Sequence, residues 1–96
     1  MPRVLELKGK NGRTIYLTDE RYNHIRKHPE MKNSLQLIEE TIRKPTSIQS
    51  YSFDPNIKYY YNYQKDRKSK AKHLRVIIKY LNGEGFVITA YFVVNP

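Results

Sequence analysis

The stretch His73-Leu74-Arg75-Val76-Ile77-Ile78-Lys79-Tyr80-Leu81-Asn82-Gly83-Glu84-Gly85-Phe86-Val87-Ile88-Thr89-Ala90-Tyr91-Phe92-Val93-Val94 decides the fold. Both halves are rich in β-branched and aromatic residues, and the glycine-bearing segment between them supplies a hairpin turn. Leu74, Val76, Ile78 and Tyr80 alternate with His73, Arg75, Ile77 and Lys79. Phe86, Ile88, Ala90, Phe92 and Val94 likewise alternate with Val87, Thr89, Tyr91 and Val93. Successive side chains on a strand point to opposite faces, so each strand presents one apolar face. The two apolar sets coincide only if paired positions add to an even number, which a three-residue loop Asn82-Gly83-Glu84 provides and a two-residue Gly83-Glu84 turn does not. Arg75 is then predicted opposite Tyr91, Ile77 opposite Thr89 and Lys79 opposite Val87. One sheet face carries Arg75, Lys79, Thr89 and Tyr91 together in that register.

Upstream of this hairpin the texture is again β. Ser47 to Phe53, a turn at Asp54-Pro55-Asn56, and a tyrosine-rich run from Ile57 to Tyr63 read as a second hairpin. Further back, Leu35, Ile38 and Ile42 recur at helical spacing, which predicts a helix over about Met31 to Arg43 ending at Pro45. Thr18 stands as an N-cap with Asp19 and Glu20 in the first turn, so an earlier helix is expected from there to about His28, ahead of Pro29. Arg3 to Lys8 alternates around a turn at Lys10-Asn11-Gly12 with Arg13 to Leu17, giving a short first hairpin. A strand pair, a helix pair and four consecutive strands segregate the helices to one face of an antiparallel sheet. The predicted class is α+β, with two N-terminal helices packed on a four-stranded antiparallel sheet in a single domain spanning 1–96.

Composition narrows the functional classes. The chain has 96 residues, 18 Lys plus Arg against 9 Asp plus Glu, and a net charge of +9. A chain this short exposes roughly a third of its unfolded surface even when folded and has room for one core, which excludes a multi-domain enzyme. It contains no Cys, so disulfides, thiolate nucleophiles and sulfur-built zinc sites are excluded and a cytoplasmic address is expected. Charge interrupts the N-terminal residues and no apolar run approaches the roughly 18 residues of a membrane span, so neither a signal peptide nor membrane insertion is expected. The excess of cations on a folding chain points to an anionic partner.

On the first predicted helix, at about 100° per residue, Arg21, His24, Ile25 and His28 fall on one side. Three roles fit the two histidines: a metal pair, an acid-base pair, or incidental surface residues. The spacing matches the histidines of the zincin helix, but Ile25 stands where that motif has Glu, and no metal or other cofactor is expected. RNA cleavage through the 2′-hydroxyl needs a base for that proton, cations on the phosphorane oxygens and an acid for the leaving oxygen, without a metal. Histidines, Arg and Lys side chains, and Thr or Tyr hydroxyls supply those parts.

The run Leu17-Thr18-Asp19-Glu20-Arg21-Tyr22-Asn23-His24-Ile25-Arg26-Lys27-His28-Pro29-Glu30, the Pro45 after the second helix, the tyrosine-rich strand and the terminal Gly85-Phe86-Val87-Ile88-Thr89-Ala90-Tyr91 together resemble a known group. They are similar to the phage-associated nuclease families of the barnase, EndoU, colicin and RelE-like (BECR) fold, over nearly the whole chain. The resemblance implies two N-terminal helices before a four-stranded antiparallel sheet, and metal-independent RNA cleavage by a toxin- or phage-associated effector. By position it makes His24 and His28 the acid-base candidates, Arg75 and Lys79 the phosphate holders, and Thr89 and Tyr91 the groups completing the sheet side. His28 precedes Pro29 and equally fits a helix-ending role, which favours His24. Thr89 is also an ordinary β-former, and Arg21 is either a phosphate clamp or a plain helix cation.

Tyr59, Tyr61 and Tyr63 share one face of their strand and Tyr60 and Asn62 the other, so one set packs as core and the other is exposed. Exposed tyrosine stacks on bases, and Tyr60 is the candidate for that role; amphipathic core or edge filler is the plainer alternative. Lys65, Arg67, Lys68, Lys70 and Lys72 against Asp66 make either a solvated loop or a phosphate funnel, with His73 at its end. Arg21, Lys68, Lys70, Lys72 and His73 are accordingly RNA-binding candidates beside Tyr60. Two other classes stay open: a non-catalytic RNA- or DNA-binding module, and a toxin acting through a protein partner such as an acidic antitoxin or immunity protein, with Val93, Val94 and a sheet edge as its surface.

Overall fold

The computed structural model describes residues 2–96. In chain order the elements are strands β1 (Arg3–Lys8) and β2 (Thr14–Thr18), helix α1 (Asp19–Ile25), a single 3₁₀ turn (Pro29–Met31), helix α2 (Leu35–Arg43), and strands β3 (Ser47–Ser50), β4 (Ile57–Tyr63), β5 (His73–Leu81) and β6 (Glu84–Val93). The class is α+β. The sheet, however, is six-stranded and mixed, in the order β1-β2-β6-β5-β4-β3, and not four-stranded and antiparallel. The first hairpin joins it through a parallel pairing of Ile15 and Tyr16 with Gly85 and Phe86. Burial explains the joint, because Ile15 and Leu17 are fully buried and could not be so on a free-standing hairpin.

One face of the sheet is covered by the helices. Ile25 from α1, Met31 from the 3₁₀ turn and Ile38 and Ile42 from α2 pack with Leu7, Ile15, Leu17, Leu74, Val76, Ile78, Val87 and Ala90 in a single core. No helix is long and apolar enough to cross a membrane among the described residues. The opposite face carries no helix.

The first helix starts where expected, the second starts later, and both are shorter. Thr18 caps α1, its Oγ1 accepting from the Arg21 amide at 3.3 Å. The helix ends at Ile25 and not near His28, because Pro29 forces His28 into extended backbone (φ −77°, ψ 125°). Residues 26–28 close as tighter turns, with the Lys27 amide on His24 O and the His28 amide on Ile25 O, both at 3.3 Å. Residues 29–31 form the separate 3₁₀ turn and α2 begins only at Leu35, where the Ser34 hydroxyl donates back to Met31 O at 2.6 Å. The segment expected to be strand through Phe53 stops at Ser50; from Tyr51 the chain already turns, with the Asp54 amide on Tyr51 O.

The β5–β6 hairpin corrects the predicted loop. Asn82 (φ 54°) and Gly83 (φ 83°) form a two-residue turn with both central residues left-handed, leaving Leu81 opposite Glu84. That register would put the two apolar sets on different faces. A bulge between Ile77 and Ile78 restores them: Ile78 pairs with Val87, Ile77 with Thr89, and Ile88 is the extra residue. Beyond the bulge Arg75 lies opposite Tyr91, as predicted. Before it Lys79 faces Phe86 and not Val87, so Val87 is buried in the core and Phe86 lies on the helix-free face beside Tyr16, ring centroids 6.2 Å apart.

Candidate functional site

Strand alternation fixes what the helix-free face carries. With Leu74, Val76 and Ile78 buried against the helices, His73, Arg75, Ile77 and Lys79 of β5 point the other way. Antiparallel pairing lays Tyr63, Tyr61, Tyr59 and Ile57 of β4 beside them in that order, and on the other flank Val93, Tyr91, Thr89 and Phe86 of β6.

Arg75 is the centre of this face. Its Nε donates to the Tyr61 hydroxyl at 3.0 Å and its Nη1 to the Tyr91 hydroxyl at 3.2 Å. The guanidinium carbon also lies 4.9 Å from the ring centre of Tyr59, 5.4 Å from that of Tyr61 and 5.7 Å from that of Tyr91. Tyr61 is fully buried although it points to the helix-free face, and its hydroxyl passes the chain on to Gln49 Oε1 of β3 at 3.5 Å. Side chains from both strands flanking β5, backed by Gln49 of β3, therefore hold one cation through tyrosine hydroxyls. Partial burial works against the charge, but the hydrogen bonds Arg75 donates to Tyr91 and Tyr61 outweigh it, and the Arg75 pKa moves up. Two of the five guanidinium N–H groups are spent on the tyrosines. The rest form a fork with fixed direction, suited to the oxygens of a phosphate.

Around this cation the face is aromatic. Tyr51 stacks on Tyr59 with centroids 5.8 Å apart and planes 29° apart, and Phe53 sits edge-on to Tyr51 at 5.6 Å. Burial, the largest cause, and the neighbouring Tyr51 raise the Tyr59 pKa against the opposing pull of Arg75, so its hydroxyl is neutral at ordinary pH. His73 lies on the same strand face two residues from Arg75, about 7 Å along the strand, and stacks on Tyr63 at 4.9 Å. Its Nδ1 is buried without a hydrogen-bond partner. Lys79 reaches Asp54 Oδ2 at 3.5 Å and is thus partly neutralised. Thr89 is half-buried opposite Ile77.

The remaining sequence candidates do not join this cluster. His24 is exposed on α1, in the helical layer that covers the other face of the sheet, in a shallow depression with Glu20, Arg21, Asn23 and Lys27. His28 is exposed beyond the helix end, so the expected stripe of Arg21, His24 and His28 is broken after Ile25. Tyr60 is not available for stacking: it is 3% exposed on the core side, its hydroxyl 2.6 Å from that of Tyr80. Lys68 and Lys70 are exposed on the loop between β4 and β5. Lys72 instead closes that loop by donating to Arg67 O, while Arg67 lies 3.6 Å over the Phe92 ring and 3.4 Å from Glu30. Among the described residues no three His, Asp or Glu side chains gather as a metal site.

Tyr51, Phe53, Tyr59 and Tyr61 are absent from the sequence-derived site. The alternation of Tyr59, Tyr61 and Tyr63 carried that signal, but only the pairing of Tyr60 with Val76 decides which tyrosine face is core. No protein-family model matches the chain, and neither a curated protein nor a solved structure matches it.

Proposed function

We propose that this protein is a metal-independent endoribonuclease of the BECR kind, acting in the cytoplasm on RNA bound across the helix-free face of its sheet. The observation that carries this is Arg75, a cation held by two tyrosine hydroxyls and surrounded by three aromatic rings on an otherwise open sheet. Cation and ring faces side by side match the alternation of phosphate and base along a single strand. The net charge of +9 draws such a strand in.

The reaction needs no partner beyond the RNA itself. The 2′-oxygen attacks the adjacent phosphorus while the bond from phosphorus to the 5′-oxygen breaks, leaving a 2′,3′-cyclic phosphate and a free 5′-hydroxyl. Arg75 stabilises the charge that builds on the non-bridging oxygens. Tyr61, buried behind it, is a positioning residue that fixes the guanidinium. The Tyr91 hydroxyl accepts from Arg75 and gives its own proton to the departing 5′-oxygen, taking one back from water. His73, the histidine on this face, takes the 2′-hydroxyl proton. In this reading the role falls to His73 in preference to His24, a residue of α1.

The assignment is tested by comparing His73→Ala with His24→Ala on a mixed-sequence RNA. Cleavage by His73→Ala is expected to fall about 10²- to 10⁴-fold, the ordinary worth of a placed acid or base, with partial rescue by added imidazole. His24→Ala is expected to cut as the parent does. The reverse pattern would return the chemistry to the helix. Tight, salt-sensitive binding with no cutting by the parent protein would leave a binding module in place of a nuclease.

A further inference from the structure

Phe53 is 85% exposed at the tip of the turn between β3 and β4, where its ring contributes almost nothing to the core. The turn beneath it is firmly built. The Tyr51 amide donates to Ile57 O at 3.1 Å, the Ile57 amide to Asp54 O at 3.1 Å, and the Asn56 amide to Asp54 Oδ1 at 2.9 Å. It also leans on the helix-free face at two points: Tyr51 stacks on Tyr59, and Asp54 pairs with Lys79. The exposed ring is thus the outer end of a continuous aromatic run, Phe53 to Tyr51 to Tyr59, whose inner end touches Arg75.

We infer that Phe53 and Tyr51 form a stacking subsite for an unpaired base of the RNA, one that makes the protein select single strands over duplex. The inference rests on the proposed binding of RNA at Arg75. The cation fixes the phosphate, and the aromatic run leads the neighbouring nucleotides away from it. A base reaches the faces of Phe53 and Tyr51 only if it has left its own stack, which a duplex resists.

The chain contains no tryptophan, so Phe53→Trp places a single reporter at the subsite. Its fluorescence would be followed during titration with an unlabelled single-stranded oligoribonucleotide, with the same sequence as a duplex, and with inorganic phosphate. Binding of labelled single strand and duplex by the parent, Phe53→Ala and Arg75→Ala would be measured in parallel by anisotropy. The expected result is quenching by the single strand alone, with single-strand affinity weakened about 10-fold in Phe53→Ala and duplex affinity unchanged. If the parent binds the single strand and Arg75→Ala weakens it, but Phe53→Ala does not and the tryptophan is not quenched, the stacking subsite is overturned while the Arg75 site stands. If the parent does not bind single-stranded RNA, or Arg75→Ala binds as well as the parent, the functional proposal fails and the subsite with it.

Discussion

Tyr60 shows how one side chain on the wrong side of a strand changes a functional assignment. Its hydroxyl is buried beside that of Tyr80, and burial, followed by that hydrogen bond, drives its pKa well above the ordinary tyrosine value. A group whose neutral form is favoured in the fold stabilises it fully below the unfolded pKa, near 10, and loses that contribution as pH rises towards the folded pKa. Above pH 10 the unfolded chain sheds the proton and the folded chain keeps it, so stability falls by up to about 1.4 kcal/mol per pH unit. Tyr60→Phe is expected to lower stability by about 1–2 kcal/mol at neutral pH, because the Tyr80 hydroxyl loses its partner, and to make the alkaline decline shallower. Urea unfolding between pH 7 and 11 measures both; a decline as steep in the variant as in the parent would contradict the account. The sequence alone offers no choice between Tyr60 and its neighbours, since β4 is tyrosine on both faces and the long loop before β5 leaves their register free. Arg75 was legible because its strand alternates cleanly between aliphatic and polar residues.

At the scale of elements, local signals carried and non-local ones did not. The Thr18 cap and the proline before α2 each act within a few residues, and each is found where its chemistry puts it, whereas the Asn82-Gly83 turn lies in the expected segment but is one residue tighter than expected. The parallel pairing of β2 with β6 links positions some seventy apart, and nothing short-ranged encodes it. The bulge at Ile88 was hidden for a different reason. Ile88 is flanked by Val87 and Thr89, so all three are good strand formers and none marks the break. The two-residue turn and the bulge act together: the turn sets one register and the bulge corrects it, which brings Tyr91 beside Arg75. Gly83 at φ 83° has open space where a Cβ would stand, so Gly83→Ala meets strain without a clash. It is expected to cost about 1–2 kcal/mol, read as a lower urea midpoint with an unchanged slope. A variant as stable as the parent would mean the turn re-forms in another register, and Arg75 would then lose Tyr91.

For the whole molecule, the division of the sheet into two faces is the organising fact. The helices and the core occupy one face, and the cation and exposed aromatics the other. His24 and Arg75, which a flat reading of the sequence sets in one site, are separated by that division. The basic loop is likewise split in its uses: Arg67 and Lys72 hold the loop in shape, while Lys68 and Lys70 remain on its surface. The central claim is that RNA is cut on the helix-free face at Arg75. It is tested most directly by incubating the parent protein and Arg75→Ala in EDTA with a mixed-sequence RNA and with the all-deoxy strand of the same sequence. The account predicts that the parent cuts the RNA and leaves the deoxy strand intact, with Arg75→Ala slower by about 10²- to 10³-fold, the loss typical of a charge-stabilising group. Cutting of both strands, or equal cutting of RNA by the parent and Arg75→Ala, would contradict it.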